Sequence, residues 1–331
     1  MIKIKLLSVI SLLYALNTCT GQTTKNDKMK PDSSKSNPLI CDPATGVCEV
    51  TSHSGEQKVS VHTEKPVKVI YFTDPICSSC WGIEPQLRKL KLEYGNNIEI
   101  DYHMGGLLKD WSYNSGGISK PSDVAHHWDE VSVYYDMPID GDLWLEDPLD
   151  SSYPPSIAFK AAQLQDKDKA VEFLRELREM VFLQKKNIAK WEHIATAAKK
   201  AGLDVNQLKT DASGKAKTLF EEDLQLARQY GVRGFPTIFF ANENGKETVY
   251  GSKPYPFYET SVLKLFPEAK KTEYSKDWKS LFQKFPTLTA KEFSELSGIN
   301  RKESENVLNE LASKGTLQKT TTKNGAIWEL K

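Results

Sequence analysis

The chain has 331 residues, with 44 Lys plus Arg balanced by 44 Asp plus Glu. No bulk charge therefore draws it toward nucleic acid or an anionic membrane surface. The length allows one or two domains with a sizeable core, and the composition is that of a soluble globular protein.

The first residues differ in character from the rest. Lys3 and Lys5 precede an apolar run from Leu6 to Leu16 that two serines interrupt. At about eleven residues this run is too short to span a bilayer and suits the core of a signal peptide. It ends in Leu16-Asn17-Thr18-Cys19, which resembles a lipoprotein processing site with Cys19 as the lipidated residue, although Asn and Thr stand where small residues are usual. On this reading residues 1–22 are a leader, and the protein belongs to a bacterial cell envelope, periplasmic or held at the membrane by lipid on Cys19. A translation start at Met29 would instead make it cytoplasmic.

Residues 23–66 read as a flexible tether, since Thr20 to Pro38 carries no large apolar side chain except Met29. Within the tether, Asn37 to Val50 reads NPLICDPATGVCEV. The turn formers Asp42 to Gly46 put Cys41 and Cys48 on the arms of a small hairpin or loop. In an oxidising compartment the two are expected to form a disulfide. The polar connection from Thr51 to Pro66, at up to ~3.3 Å per residue, is long enough to reach across a small domain. Cys41–Cys48 is thus either a structural staple or a redox pair that exchanges with the dithiol that follows.

That dithiol lies in VKVIYFTDPICSSCW, Val67 to Trp81. Val67 to Phe72 is apolar or aromatic except Lys68, the composition of a buried parallel strand. Thr73, Asp74 and Pro75 end the strand. Cys77 and Cys80 follow, then an amphipathic run from Gln86 to Tyr94. Two cysteines at the start of a helix are placed for thiol–disulfide exchange: free N–H groups and the helix dipole stabilise a thiolate, and a spacing of three keeps both on one face. A zinc site would need a second compact pair, and the six residues between Cys41 and Cys48 do not make one. No metal and no cofactor are expected. Two inert buried cysteines are the other alternative, against which the strand–turn–helix context argues.

Asn97 to Gly106 alternates as a strand before a Gly-Gly break. Leu107 to Pro155 reads as irregular loops and short helices, whose Trp111, Trp128, Trp144, Tyr134, Tyr135 and Tyr153 either pack or line a substrate groove. His103, His126 and His127 read as ordinary surface or half-buried histidines. Helical periodicity returns over Ser156–Leu164, Lys169–Leu183, Trp191–Ala201 and Val205–Tyr230, the last with a break near Ser213-Gly214. Pro236, which cannot donate to a ladder and is cis-capable, precedes a buried strand at Thr237–Ala241. A hairpin turn at Asn244-Gly245 and a return strand at Glu247–Tyr250 follow.

FTDPICSSCWGIEP resembles the active-site motif of the DsbA-like thioredoxin superfamily, in particular its FrnE-like branch. The similarity continues through FKAAQLQ, FLRELREMVFLQKKNI, AAKKAGLDVNQL and GFPTIFF, from about Lys68 to Phe266, and is closest to the branch that includes the adaptor delivering Spx to the ClpXP protease. The resemblance implies an α/β thioredoxin fold over 67–270 with a large α-helical insertion at about 107–230. It makes Cys77 the attacking cysteine, Cys80 the resolving one and Pro236 the proline that faces them, with Trp81 and Phe235 as substrate-contacting neighbours. Implied partners are protein or peptide thiols and disulfides, including a redox partner protein; the alternative is an adaptor that delivers client proteins to a ClpXP-type protease. Ser78-Ser79 matches neither the Pro-His of strongly oxidising DsbA nor the Gly-Pro of thioredoxin.

Residues 275–331 read as a separate winged-helix-like unit, with helices at Thr289–Leu296 and Lys302–Lys314 and strands at Thr316–Thr321 and Ala326–Leu330. Its second helix sets Arg301, Lys302 and Lys314 against Glu303, Glu305 and Glu310. No basic face is offered to phosphates, so protein contact rather than nucleic-acid binding is expected.

Overall fold

The computed structural model describes residues 41–42, 46–49, 65–112 and 119–331, with the backbone alone at 41, 42 and 49. The leader, Cys19 and nearly all of the tether lie outside the described residues. The described residues form one compact unit.

In chain order, β1 (Cys41–Asp42) and β2 (Val47–Glu49) precede β3 (Val67–Thr73), α1 (Ser78–Gly82), α2 (Glu84–Tyr94) and β4 (Ile98–Met104). The insertion holds α3 (Pro121–Tyr135), α4 (Leu143–Glu146), α5 (Tyr153–Gln165), α6 (Lys167–Leu183), α7 (Trp191–Lys200), α8 (Val205–Ser213) and α9 (Lys215–Gln229). Then come β5 (Gly234–Phe235), β6 (Thr237–Asn242), β7 (Gly245–Tyr250) and α10 (Tyr255–Leu265). The chain ends with α11 (Trp278–Lys284), β8 (Thr287–Thr289), α12 (Ala290–Ser297), α13 (Arg301–Ser313), β9 (Leu317–Thr322) and β10 (Gly325–Leu330).

The central sheet has the order β4-β3-β6-β7. β3 is parallel to β4 and antiparallel to β6, and β7 returns antiparallel to β6. This is a thioredoxin fold of mixed α/β content with a large helical region. Val67, Val69, Ile70, Tyr71 and Phe72 are each 3% exposed or less, which accounts for the near-continuous apolar run of β3. The strand expected from that run to be parallel is so on one side, because β6 approaches from the other in the opposite sense. The β6–β7 register pairs Asn242 with Gly245, so the turn residues are Glu243 and Asn244, one position earlier than the Asn-Gly pair expected from sequence. Gly245, at φ +153°, is instead the first residue of the return strand, in a conformation that glycine adopts freely.

Where irregular loops and short helices were expected after β4, α3 is a full fifteen-residue helix. Asp123 accepts the backbone N–H groups of Ser119 (2.9 Å) and Lys120 (3.2 Å), and Pro121 stands in the first turn, where its missing N–H is not needed. Val124, Ala125, Trp128, Val131 and Tyr135 form its buried stripe. Trp128 packs on Phe182 (ring centroids 4.8 Å) and on Trp144 (5.2 Å), so these tryptophans fill the core of the insertion rather than line a groove. The Val205–Tyr230 run divides at Gly214 into α8 and α9. Among the described residues, no helix is long and apolar enough to cross a membrane.

The last sheet, β8-β10-β9, and α11–α13 enclose a second apolar cluster that includes Leu281, Leu288, Phe293, Leu308 and Trp328. Three cations of this unit are paired: Arg301 with Asp136 and Glu305, Lys314 with Glu310, and Lys323 with Asp129 and Asp142. Charge also ties it to the rest of the chain. Arg175 makes two hydrogen bonds to Glu292 (2.7 and 3.1 Å), Arg88 donates to the Thr287 carbonyl (2.8 Å), and Lys89 meets Glu295 at 3.0 Å.

Candidate functional site

β3 delivers the chain to the dithiol. Its apolar residues hold it in mid-sheet, Asp74 and Pro75 turn the backbone, and the Cys77 N–H donates to the Asp74 carbonyl (3.2 Å). Cys77 is the N-cap of α1, and its Sγ accepts the Cys80 N–H at 3.1 Å. Negative charge on a sulfur so placed meets a backbone donor and the positive end of the helix. Cys77 and Cys80 form a disulfide. A helix break at Ile83, two residues before Pro85, separates α1 from α2. The expected helix therefore starts at the cysteines but is delivered in two segments.

Both sulfurs, and Ser78 and Ser79 between them, are fully buried. Part of that cover comes from the insertion. The Ser79 and Tyr135 hydroxyls are 2.6 Å apart, and the Tyr135 ring lies so close to Gly82 that a Cβ there would come within 2.5 Å of it. Tyr135, one of the loop-region aromatics, thus touches the CxxC segment through α3. Glycine directly after Cys-Ser-Ser-Cys-Trp was the available sequence signal, since close approach of a ring needs a position without a side chain.

The N-terminal hairpin adds to that cover. β2 pairs antiparallel with β5, with Cys48 opposite Phe235 and Glu49 opposite Gly234. The Gly46 carbonyl accepts the Ser252 N–H at 2.7 Å. This register places the Sγ of Cys48 3.4 Å from Cys77 Sγ and 3.4 Å from Ser79 Oγ, with no exposed surface left on Cys48. Cys48 is disulfide-bonded, and the β1–β2 register sets the backbone of Cys41 directly opposite it.

The Phe235–Pro236 peptide is cis. Thr237 pairs with Phe72 across the sheet, so Pro236 stands beside the end of β3 from which the cysteine loop departs. Phe235 presents its backbone to β2, but its ring is buried over Gly105, where a Cβ would fall 1.7 Å from the ring. Trp81 departs further from expectation. It is fully buried, stacks on Phe182 (5.5 Å), lies under the Arg175 guanidinium (4.4 Å) and donates from Nε1 to the Pro138 carbonyl (3.0 Å). With the hairpin seated both rings are buried, and both secure the frame of the site.

Two buried groups near the cysteines escaped sequence reading. Asp74 is fully buried, and burial pushes its carboxyl up to about 6. The Leu107 and Ile76 N–H groups and the Ser152 hydroxyl, which all donate to it, work the other way. Arg178, 1% exposed, donates to Thr73 Oγ1 (2.6 Å) and pairs with Glu84, binding α6 to the end of β3 and the start of α2. An Asp after an apolar run and an Arg inside an apolar helix were visible, but their partners lie far away in sequence. His103 is half-buried; burial opposes its charge, and hydrogen bonds to Asp101 and Asp223 outweigh that and raise its pKa. His126 meets Glu130 at the surface, and burial pushes His127 down. Among the described residues, no group of three His, Cys, Asp or Glu side chains could hold a metal ion.

Comparison with known proteins agrees with this geometry. The thioredoxin family pattern matches residues 71–260. The ClpXP adapter protein SpxH of Halalkalibacterium halodurans is 34% identical over 300 residues, covering 88% of this chain and 97% of that protein. Its counterpart in Shouchella clausii is 30% identical over 295 residues, covering 87% and 96%. Among solved structures, a candidate protein disulfide isomerase from Nitrosomonas europaea superposes with a TM-score of 0.53 at 19% identity, over 62% of this chain and 97% of that one.

Proposed function

This chain belongs to the thioredoxin family, in the group that holds the SpxH adapters, and from that premise we propose that it is a thiol–disulfide oxidoreductase acting on protein or peptide disulfides. The observation that carries the proposal is the Cys77–Cys80 disulfide at the start of α1, with Cys77 Sγ accepting the Cys80 N–H. In the reducing direction, the Cys77 thiolate attacks a substrate sulfur and forms a mixed disulfide, while the other substrate sulfur leaves as a thiolate. Cys80 then attacks Cys77 Sγ, which restores the internal disulfide and releases the second substrate thiolate. The oxidising direction is the same sequence reversed. β5, next to Pro236, offers the backbone along which an extended peptide lies. A signal-led, lipid-anchored protein with Cys19 as its attachment point would perform this reaction in the cell envelope.

Reduction of insulin by dithiothreitol, with and without the protein, tests the reading, together with oxidation of a reduced dicysteine peptide. Cys77→Ser is expected to abolish both activities. Wild-type rates in that variant would refute the assignment.

A second reading has its own support: the likeness to proteins named as ClpXP adapters spans nearly their whole length. In it, the chain presents a client protein to a ClpXP-type protease. That role requires a cytoplasmic protein, so mass spectrometry of the N-terminus separates the two. An acylated Cys19 or a cleaved leader favours the envelope enzyme. An intact cytoplasmic start, with degradation of a client by ClpXP accelerated by Cys77→Ser as well as by wild type, favours the adapter.

A further inference from the structure

The N-terminal hairpin does more than cover the dithiol; it occupies it in the manner of a substrate. β2 adds to β5 as an extended antiparallel strand, the way a peptide is bound by strand addition. Cys48 is the residue opposite Phe235, immediately before Pro236. Its sulfur is 3.4 Å from the Sγ of Cys77, the separation at which reacting atoms are already close to attack. Cys48 is itself disulfide-bonded, so what lies against Cys77 is an electrophilic sulfur rather than an inert cap. Cys77 and Cys80 use each other, and the strand register places Cys41 across from Cys48. Both Cys48 and Cys77 are without solvent exposure, so an external disulfide has no path to Cys77 while β2 is seated.

We propose that the Cys41–Cys48 disulfide is a tethered internal substrate of Cys77, through which electrons pass between the dithiol and the N-terminal hairpin. This rests on the exchange chemistry assigned above to Cys77 and Cys80, and adds its internal partner and its regulation.

With the dithiol reduced, the Cys77 thiolate attacks Cys48 Sγ. The Cys77–Cys48 bond forms, the Cys41–Cys48 bond breaks, and Cys41 leaves as a thiolate that takes a proton from solvent. Cys80 loses its proton and attacks Cys77 Sγ, so that the Cys77–Cys80 bond forms and Cys48 leaves as a thiolate. Two electrons and one proton have moved from Cys77/Cys80 to Cys41/Cys48, the negative charge that began on Cys77 ends on Cys48, and no outside oxidant or reductant enters. Run backwards, the same steps let a reduced hairpin recharge the dithiol. The hairpin also competes with external substrates, because both need the same edge of β5.

The test is trapping in the full chain. Cys80→Ser protein is treated with limiting dithiothreitol, quenched in acid and alkylated, and its disulfide-linked peptides are mapped by mass spectrometry. The expected product is a Cys48–Cys77 peptide together with alkylated Cys41; Cys48→Ser on the same background abolishes it. An intact Cys41–Cys48 peptide in every fraction where Cys77 is alkylated overturns the proposal, and so does a Cys41–Cys77 peptide. Insulin reduction by Cys41→Ser/Cys48→Ser, assayed in parallel, separates the two levels of the argument. Activity in that variant, combined with no trapped Cys48–Cys77 bond in Cys80→Ser, removes the relay and leaves the oxidoreductase standing. Wild-type activity in Cys77→Ser removes the oxidoreductase itself.

Discussion

Replacing Glu292 tests how the C-terminal unit is joined to the thioredoxin core. Its carboxylate has no exposed surface and lies between two guanidinium groups, hydrogen-bonded to Arg175 (2.7 and 3.1 Å) and 3.2 Å from Arg88. Burial works against its charge, but the two arginines outweigh that and hold the carboxyl below its ordinary range. The same side chain accepts the Thr289 N–H (2.8 Å) and completes the cap of α12. Glu292→Ala thus removes the anion between two buried cations and loses a cap in addition. Breaking a buried pair from one side costs roughly 3–5 kcal/mol, and the cap adds about 1 kcal/mol.

Glu292→Ala is expected to lose at least about 3 kcal/mol in urea unfolding followed by tryptophan fluorescence, with hydrogen exchange rising first in α12 and β8. The pH sign follows from the depressed carboxyl: its contribution is present above the unfolded value of 4.5 and is lost as pH falls through the lower folded value. A Glu292→Ala loss under about 1 kcal/mol would refute the argument that this pair joins the two parts.

Gly105→Ala drives a methyl group to within 1.7 Å of the Phe235 ring, so it is expected to cost about 1–3 kcal/mol as an overpacked site. Displacing β5 should also lower kcat/KM for insulin reduction, and unchanged stability and rate together would contradict the placement of Phe235. Asp74 titrates near 6 in the folded protein against 3.8 as its ordinary value, so its contribution to stability is full below 3.8 and is lost as pH rises through 6, a span worth ~3 kcal/mol. Asp74→Asn should flatten that part of the stability–pH profile, measured by urea midpoints at a series of pH values; a profile parallel to wild type would show that another group is responsible.

Much of this protein is local and was legible in the sequence. The apolar run of β3, the C-x-x-C at the head of a helix, the break at Gly214 and the turn formers between Cys41 and Cys48 are each set by neighbouring residues, through burial on both faces, free N–H groups, backbone freedom and turn preference. Periodicity would also have revealed α3 had Pro121 and Asp123 in its first turn been weighed with its apolar stripe. Only the tertiary structure decided which way Trp81 and Phe235 face, because each ring is directed by partners far away in sequence: Phe182, Arg175 and Pro138 for the one, Gly105 for the other. The same holds for Asp74, whose burial depends on Leu107 and Ser152, and for Arg178, which meets Glu84 and Thr73. The meeting of Cys48 with Cys77 is the extreme case. Sequence supplied the two cysteine pairs and a connection long enough to bring them together, but the pairing of β2 with β5 sets the distance, and strand pairing across nearly two hundred residues is a property of the folded sheet, not of either segment.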